Sequence, residues 1–176
     1  MKKTVLTFGL LSGFVLSVMM LLTMPFHDRI GFDRAMIVGY TTMILAALFV
    51  YFGVRSYRDN VNNGTVSFGR AFIVGMLISF VAIAMYVTTW ELSKNRIAPD
   101  YMEKYQAHVI EKGKASGRAQ AEIDAEVAEV RKWAEMAKNP LMSAAFTSLE
   151  PLPVALLASL FSAFMLKRKR REDEMA

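Results

Sequence analysis

The chain has 176 residues, 54% of them hydrophobic, and no cysteine, which excludes disulfide bonds and thiolate chemistry. Its 21 Lys and Arg outnumber 16 Asp and Glu, for a formal net charge of +5. That excess lies beside long apolar runs, so it points to orientation in a membrane and away from nucleic-acid binding.

Four runs, over residues 5–24, 35–54, 71–90 and 151–166, contain no Lys, Arg, Asp, Glu or His. The first three are 20 residues each; at about 1.5 Å per residue, each matches the roughly 30 Å hydrocarbon core of a bilayer. They are apolar all round, whereas a helix on a soluble protein keeps a polar face. The expected fold class is therefore all-α: an integral membrane four-helix bundle, one domain over 1–176. A helical insertion over 98–149, between spans three and four, lies outside the membrane.

The first run follows Lys2 and Lys3, as a secretory signal does. It is longer than an ordinary signal core and has no small-x-small site before Pro25, so an uncleaved first span is expected. Within it Gly9, Gly13 and Ser17 recur at four-residue spacing. Spans two to four repeat the pattern with Ala35 and Gly39, Thr42 and Ala46, then Ala71, Gly75 and Ser79, and Ala155, Ser159 and Ala163. Small residues on one face let helix backbones approach closely where no hydrophobic effect operates between helices. Packing within one chain is the first expectation, and a homo-oligomer through Gly9 and Gly13 the second.

The first loop balances Arg29 and Arg34 against Asp28 and Asp33. The second carries Arg55, Arg58 and Arg70 against Asp59, and Asn63-Gly64 there suggests a tight hairpin turn flanked by Val61 and Val66. Asn63-Gly64-Thr65 also matches a glycosylation acceptor, without meaning on a cytoplasmic loop. Aromatic residues at the span ends (Phe26, Tyr51, Phe52, Phe72, Tyr86 and Trp90) read as interfacial anchors.

After span three the pattern becomes amphipathic. Asp100 is a candidate cap for a helix with Tyr101, Met102, Tyr105, Val109 and Ile110 at helical spacing. A break at Lys114-Ala115-Ser116, between Gly113 and Gly117, leads to a second helix over 118–138, whose seam is Ile123, Val127, Val130, Ala134 and Ala137. The two suggest an antiparallel hairpin with Trp133 and Met136 beside the seam, turned to the membrane surface or a partner. A short amphipathic segment over 141–149 follows, and Pro151 and Pro153 force a bend before span four. That span has only 16 residues. It can cross if Lys167 and Arg168 snorkel, if Leu149 and Glu150 extend it, or if the bilayer thins.

With four spans, the N-terminal tail, the second loop and the C-terminal tail share one side and hold ten Lys and Arg, against two in the short first loop. The positive-inside bias puts both termini in the cytoplasm and the helical insertion outside. Arg55, Arg58, Lys167 and Arg168 are candidates for contact with anionic lipid, each contributing roughly 1 kcal/mol near a charged leaflet.

Chemistry is thinly represented. The span cores offer hydroxyls and no ionisable group, which disfavours a proton-coupled transporter. Glu150, at the entrance of span four, is the nearest to an intramembrane carboxylate, with stabilisation by the helix dipole as its plainer explanation. His27, Asp28, Asp33 and Glu150 could be assembled as a metal site, and His27, Asp28, Glu91 and Glu150 as an outer-face catalytic set. Neither has diagnostic spacing, so no catalytic residue, metal or cofactor is assigned.

The block Phe52-Gly53-Val54-Arg55-Ser56-Tyr57-Arg58-Asp59-Asn60, followed by Gly64, Phe68-Gly69 and Ala71-Phe72, resembles the bacterial membrane family catalogued as domain of unknown function forty-one ninety-nine. Trp90-Glu91, Pro99-Asp100 and Glu150-Pro151 fit the same resemblance, which covers nearly the whole chain. It implies a four-span protein of the bacterial inner membrane and no particular activity. The expected role is that of an accessory or scaffold presenting the insertion over 100–138 to an extracytoplasmic partner. The alternative is a subunit of a small-solute transporter or oligomeric channel.

Overall fold

A computed structural model describes residues 1–168, without the side chains of His27 and Asp28. The basic residues 169–171 of the C-terminal tail lie outside the described residues. The first apolar run forms α1 (Lys2–Thr23), followed by a 3-10 turn at Met24–Phe26 and the short α2 (His27–Ile30). Gly31, at φ 77°, turns the chain into α3 (Phe32–Asn60). Next come α4 (Phe68–Ile97), α5 (Tyr101–Ala115), α6 (Gln120–Met136), α7 (Pro140–Leu149) and α8 (Leu152–Leu166). Among the described residues there is no strand, only one antiparallel bridge between Val66 and Arg168.

Three of these helices are long and apolar enough to cross a membrane, and a fourth crossing results if α7 and α8, bent by 44°, act as one broken span. Both α3 and α4 outrun their apolar runs, because residues such as Asp59 and Lys94 continue the helix where the apolar run has ended.

The cross-section is inverted relative to a soluble protein. Beside apolar residues such as Val54, Val74 and Ile78, many buried positions are small or hydroxylic: Ser12, Ser17, Thr42, Ala46, Ala71, Ser79, Ser159, Ser162 and Ala163. Large apolar side chains face outward, among them Leu6, Phe14, Ile37, Ile44, Phe80, Leu157 and Phe164. Only 33% of the apolar window of α1, and the same share of α3, is covered by protein. In water such a surface would be a severe liability, whereas lipid tails solvate it at no cost. The chain thus has the construction of a multi-pass membrane protein.

Small residues decide how the helices pair. A Cβ on Gly9 would lie 2.6 Å from Val81 Cβ, and one on Gly13 would lie 2.9 Å from Met85 Cβ. Partner numbers rise together, so α1 and α4 run parallel, and theirs is the most extensive helix pairing among the described residues. Gly53 of α3 meets Phe8 and Ile78, and Gly75 of α4 meets Ser159 of α8, whose Cβ would be 3.0 Å from a Cβ on the glycine. Short loops favour contact between consecutive spans. That holds for α1 with α3, but α3 and α4 touch more sparsely than α1 and α4 do. Gly39 differs from the other small residues: nothing comes within 4 Å of its would-be Cβ, because it borders a cavity.

Hydroxyls in the interior bond across helices or back to their own. Ser12 donates to the Ala46 carbonyl at 3.0 Å, and the Ser17 and Thr89 hydroxyls are 3.0 Å apart. Ser79 and Ser162 donate to the Gly75 and Ala158 carbonyls. Ser159 Oγ is buried without a hydrogen-bond partner among the described residues. Removing an unsatisfied hydroxyl costs nothing in bonds, so Ser159→Ala should leave thermal stability within about 1 kcal/mol of the parent or raise it slightly. Ser159→Leu should instead drive α8 off Gly75 and lower stability clearly, as read from thermal unfolding in detergent.

One apolar cluster joins Val5, Val54, Tyr57, Val66, Ala71, Val74, Ala163 and Leu166. The start of α1, the end of α3, the start of α4 and the end of α8 therefore share one end of the molecule. The Asn63-Gly64 pair does not build a hairpin there. Its positive φ angles, 51° and 74°, cap α3, with Gly64 N–H donating to the Arg58 carbonyl at 2.9 Å, and Val66 pairs with Arg168 instead of Val61.

At the opposite end, α5 and α6 share a core of their own, Val109, Ile123 and Val127, with Gly113 admitting Ile123. Asp100 precedes α5, but its carboxylate takes Lys104 at 2.8 Å and makes no cap bond; that ammonium holds the carboxyl below its usual range. Asn139 does cap α7, accepting from Leu141 N–H at 2.9 Å, with Pro140 at the first turn. Trp133 packs edge-on against Phe146 of α7, with ring centroids 4.5 Å apart.

Candidate functional site

A cavity of about 610 Å³ opens between the far ends of the long helices and α5. Its floor is Leu16, Met19 and Met20 of α1 with Met43 of α3, an apolar and adaptable surface. Thr42, whose hydroxyl is turned back to the Val38 carbonyl at 2.8 Å, adds no free donor. This size and lining fit one small organic guest.

Aromatic rings form the upper wall. Phe32 meets Tyr101, Tyr105 and His108 at centroid distances of 5.6, 5.5 and 5.1 Å, and Trp90 meets Tyr101 edge-on at 5.6 Å. Burial first, then the nearby Glu150 and Tyr105, push the Tyr101 phenol up to about 12, so it is a neutral phenol at neutral pH. The aromatic spacing of α5 is thus spent on the α3 and α4 ends, where a ring can cover apolar surface and keep a polar edge outward.

Charges at the rim are mostly matched. Lys112 reaches Asp33 at 2.5 Å, with His108 Nε2 3.6 Å from the same carboxylate oxygen, and Arg118 pairs with Glu126. Glu150 stands between α7 and α8 and lines the cavity; it accepts from the Tyr86 hydroxyl at 3.4 Å and, among the described residues, has no salt-bridge partner.

Below α7, Ser143 is buried and ties α7 to α4. Its hydroxyl donates to Glu91 Oε1 at 2.5 Å and accepts from Lys94 Nζ at 2.6 Å, while Lys94 and Glu91 pair at 2.7 Å. This places Glu91 in a structural clamp and off the cavity wall. The side chains of His27 and Asp28 lie outside the description, so the metal and catalytic sets that included them rest on Asp33, Glu91 and Glu150 alone. Asp33 and Glu91 are engaged by lysines, and among the described residues no cluster suited to a metal ion occurs.

At the other end of the molecule, Arg58 makes a two-point contact with Asp59, Nε to Oδ1 at 2.6 Å and Nη2 to Oδ2 at 3.1 Å, and Arg55 approaches the same carboxylate at 3.6 Å. Lys167 Nζ lies 4.6 Å from the centre of the Phe164 ring, and the Arg168 backbone pairs with Val66. The second loop and the end of α8 are thereby brought together.

Glu150, Tyr86 and Trp90 each stand out in the sequence, but as a dipole-stabilised residue and two interfacial anchors. Their convergence with Phe32 and Tyr101 has no sequence signal, because the five come from four separate elements. Searches of curated proteins and of solved structures give no match. The model of one family, described as "Protein of unknown function (DUF4199)", matches residues 7–168. The chain belongs to that family.

Proposed function

We propose that this is a non-enzymatic accessory or scaffold protein of the bacterial inner membrane, with both termini cytoplasmic, that presents α5 and α6 to an extracytoplasmic partner. One observation carries the proposal. The pair closes a small core of its own, and α6 turns an exposed charged face outward, with Glu122, Asp124, Glu129, Lys132 and Glu135. Such a face is suited to a polar, specific contact and not to lipid. Arg55, Arg58, Lys167 and Arg168 support the cytoplasmic side by the positive-inside bias, and the donors that Arg55 and Arg58 do not spend on Asp59 suit anionic headgroups.

Copurification from native membranes tests the role: reversing α6 charges (Glu122→Lys with Glu129→Lys) should lose specific partners. An unchanged set of partners contradicts it. Orientation is tested by single cysteines at Ser56 and Ser116; an impermeant label added outside should reach only Ser116. The second reading, a transporter or channel subunit, draws on Thr42 and Glu150 lining one cavity. It requires solute flux in vesicles that is lost in Glu150→Gln.

A further inference from the structure

The cavity's chemistry is asymmetric in a way that the scaffold role does not use. Three features meet in one space: a methionine-rich apolar floor, a wall of aromatic faces, and one carboxylate. Asp33 and Glu126 at the rim already have their cations, Lys112 and Arg118, and His108 lies against Asp33. Among the described residues, Glu150 has a phenol and no cation. An anion at an apolar boundary gains most from a cation that brings its own apolar body.

We infer that the cavity binds an amphiphilic cation, an alkylammonium or related onium head with an apolar tail, the head held by Glu150 and the rings of Tyr86, Trp90 and Tyr101 and the tail lying on Met19 and Met43. An onium group within about 6 Å of an aromatic centroid is attracted by the ring quadrupole, most strongly by indole. Each ring–cation contact needs no hydrogen bond, which suits a head that cannot donate one. The volume, about 610 Å³, accommodates a head with a medium-length chain. An anionic amphiphile is disfavoured because it would face Glu150, and a neutral one would leave the carboxylate without a counter-charge.

The two tryptophans make the test direct. Trp90 lines the cavity, whereas Trp133 packs on Phe146. In full-length protein carrying Trp133→Phe, in maltoside micelles, 1-dodecylpyridinium should quench Trp90 with a saturating dose curve. Glu150→Gln should weaken that binding at least tenfold, and Tyr101→Leu several-fold. On the Trp133→Phe protein with its cavity intact, which depends on no cavity variant folding, dodecyltrimethylammonium should displace the probe and dodecanol should not. Displacement by phosphatidylethanolamine as well would identify a lipid head as one source; displacement by the single-chain cation alone would identify a free amphiphile. Either outcome supports the site. Linear quenching without saturation, equal displacement by dodecanol, or a correctly eluting Glu150→Gln that binds unchanged would overturn it. Loss of the partner contact by α6 charge reversal would leave this binding intact, so the two proposals fail separately.

Discussion

Gly9→Leu should separate α1 from α4 and is expected to be the most damaging single substitution in the molecule. A Cβ there would lie 2.6 Å from Val81 Cβ and 3.0 Å from the Ile78 carbonyl oxygen. Val81 Cβ is fixed to its backbone, so relief requires the helices to move apart. Overpacking typically costs about 1–3 kcal/mol, and more where backbone must shift. In a bilayer the loss is compounded, because lipid offers helix association no hydrophobic drive and close packing must supply it. The expected result is a collapse of the thermal transition and aggregation on size exclusion. Gly39→Leu is the matched control: the same side chain enters open space, and the transition should be retained. Equal damage at both positions would mean that the glycine faces do not set the packing.

The second large effect is expected at Phe32, whose ring contacts Tyr101, Tyr105 and His108 and so joins α3 to α5. Truncating a well-packed phenylalanine costs about 3–5 kcal/mol, and this one is only half-buried, so about 2–3 kcal/mol is expected for Phe32→Ala. The loss should be local. Amide exchange should accelerate through α5 and α6, because Tyr105 links Phe32 to the Val109, Ile123 and Val127 core, while α1 and α4, packed on each other through Gly9 and Gly13, keep their protection. The Trp133–Phe146 contact and the Lys112–Asp33 pair would remain as tethers. Unchanged exchange in α5 would show that these tethers, and not the aromatic cluster, hold the layer.

The membrane helices were legible in the sequence because twenty apolar residues without a charge have few other uses. Their helical continuation was harder to see: α4 runs to Ile97, past Glu91 and Lys94, where composition alone marks an exit from the bilayer. Asn63-Gly64 misled for a physical reason, since positive φ serves a helix cap as well as a hairpin turn. The parallel pairing of α1 with α4 could not be read either. Gly9 and Gly13 announce a close contact without naming the partner. The cavity was least legible of all, because Met19, Met43, Tyr86, Tyr101 and Glu150 belong to no common periodicity. Only the register between helices brings them together.

Lipid covering the outward apolar faces is what this architecture depends on most, and α3 offers the sharpest probe of it. The chain has no cysteine, so single nitroxide labels can be placed cleanly at Ile44, which is 62% exposed, and at Asn60, beyond the apolar run. In reconstituted vesicles, dissolved oxygen should relax the Ile44 label strongly and a water-soluble nickel chelate hardly at all, with the reverse order at Asn60. A nickel chelate that reaches both labels equally would place that face in water and contradict the account.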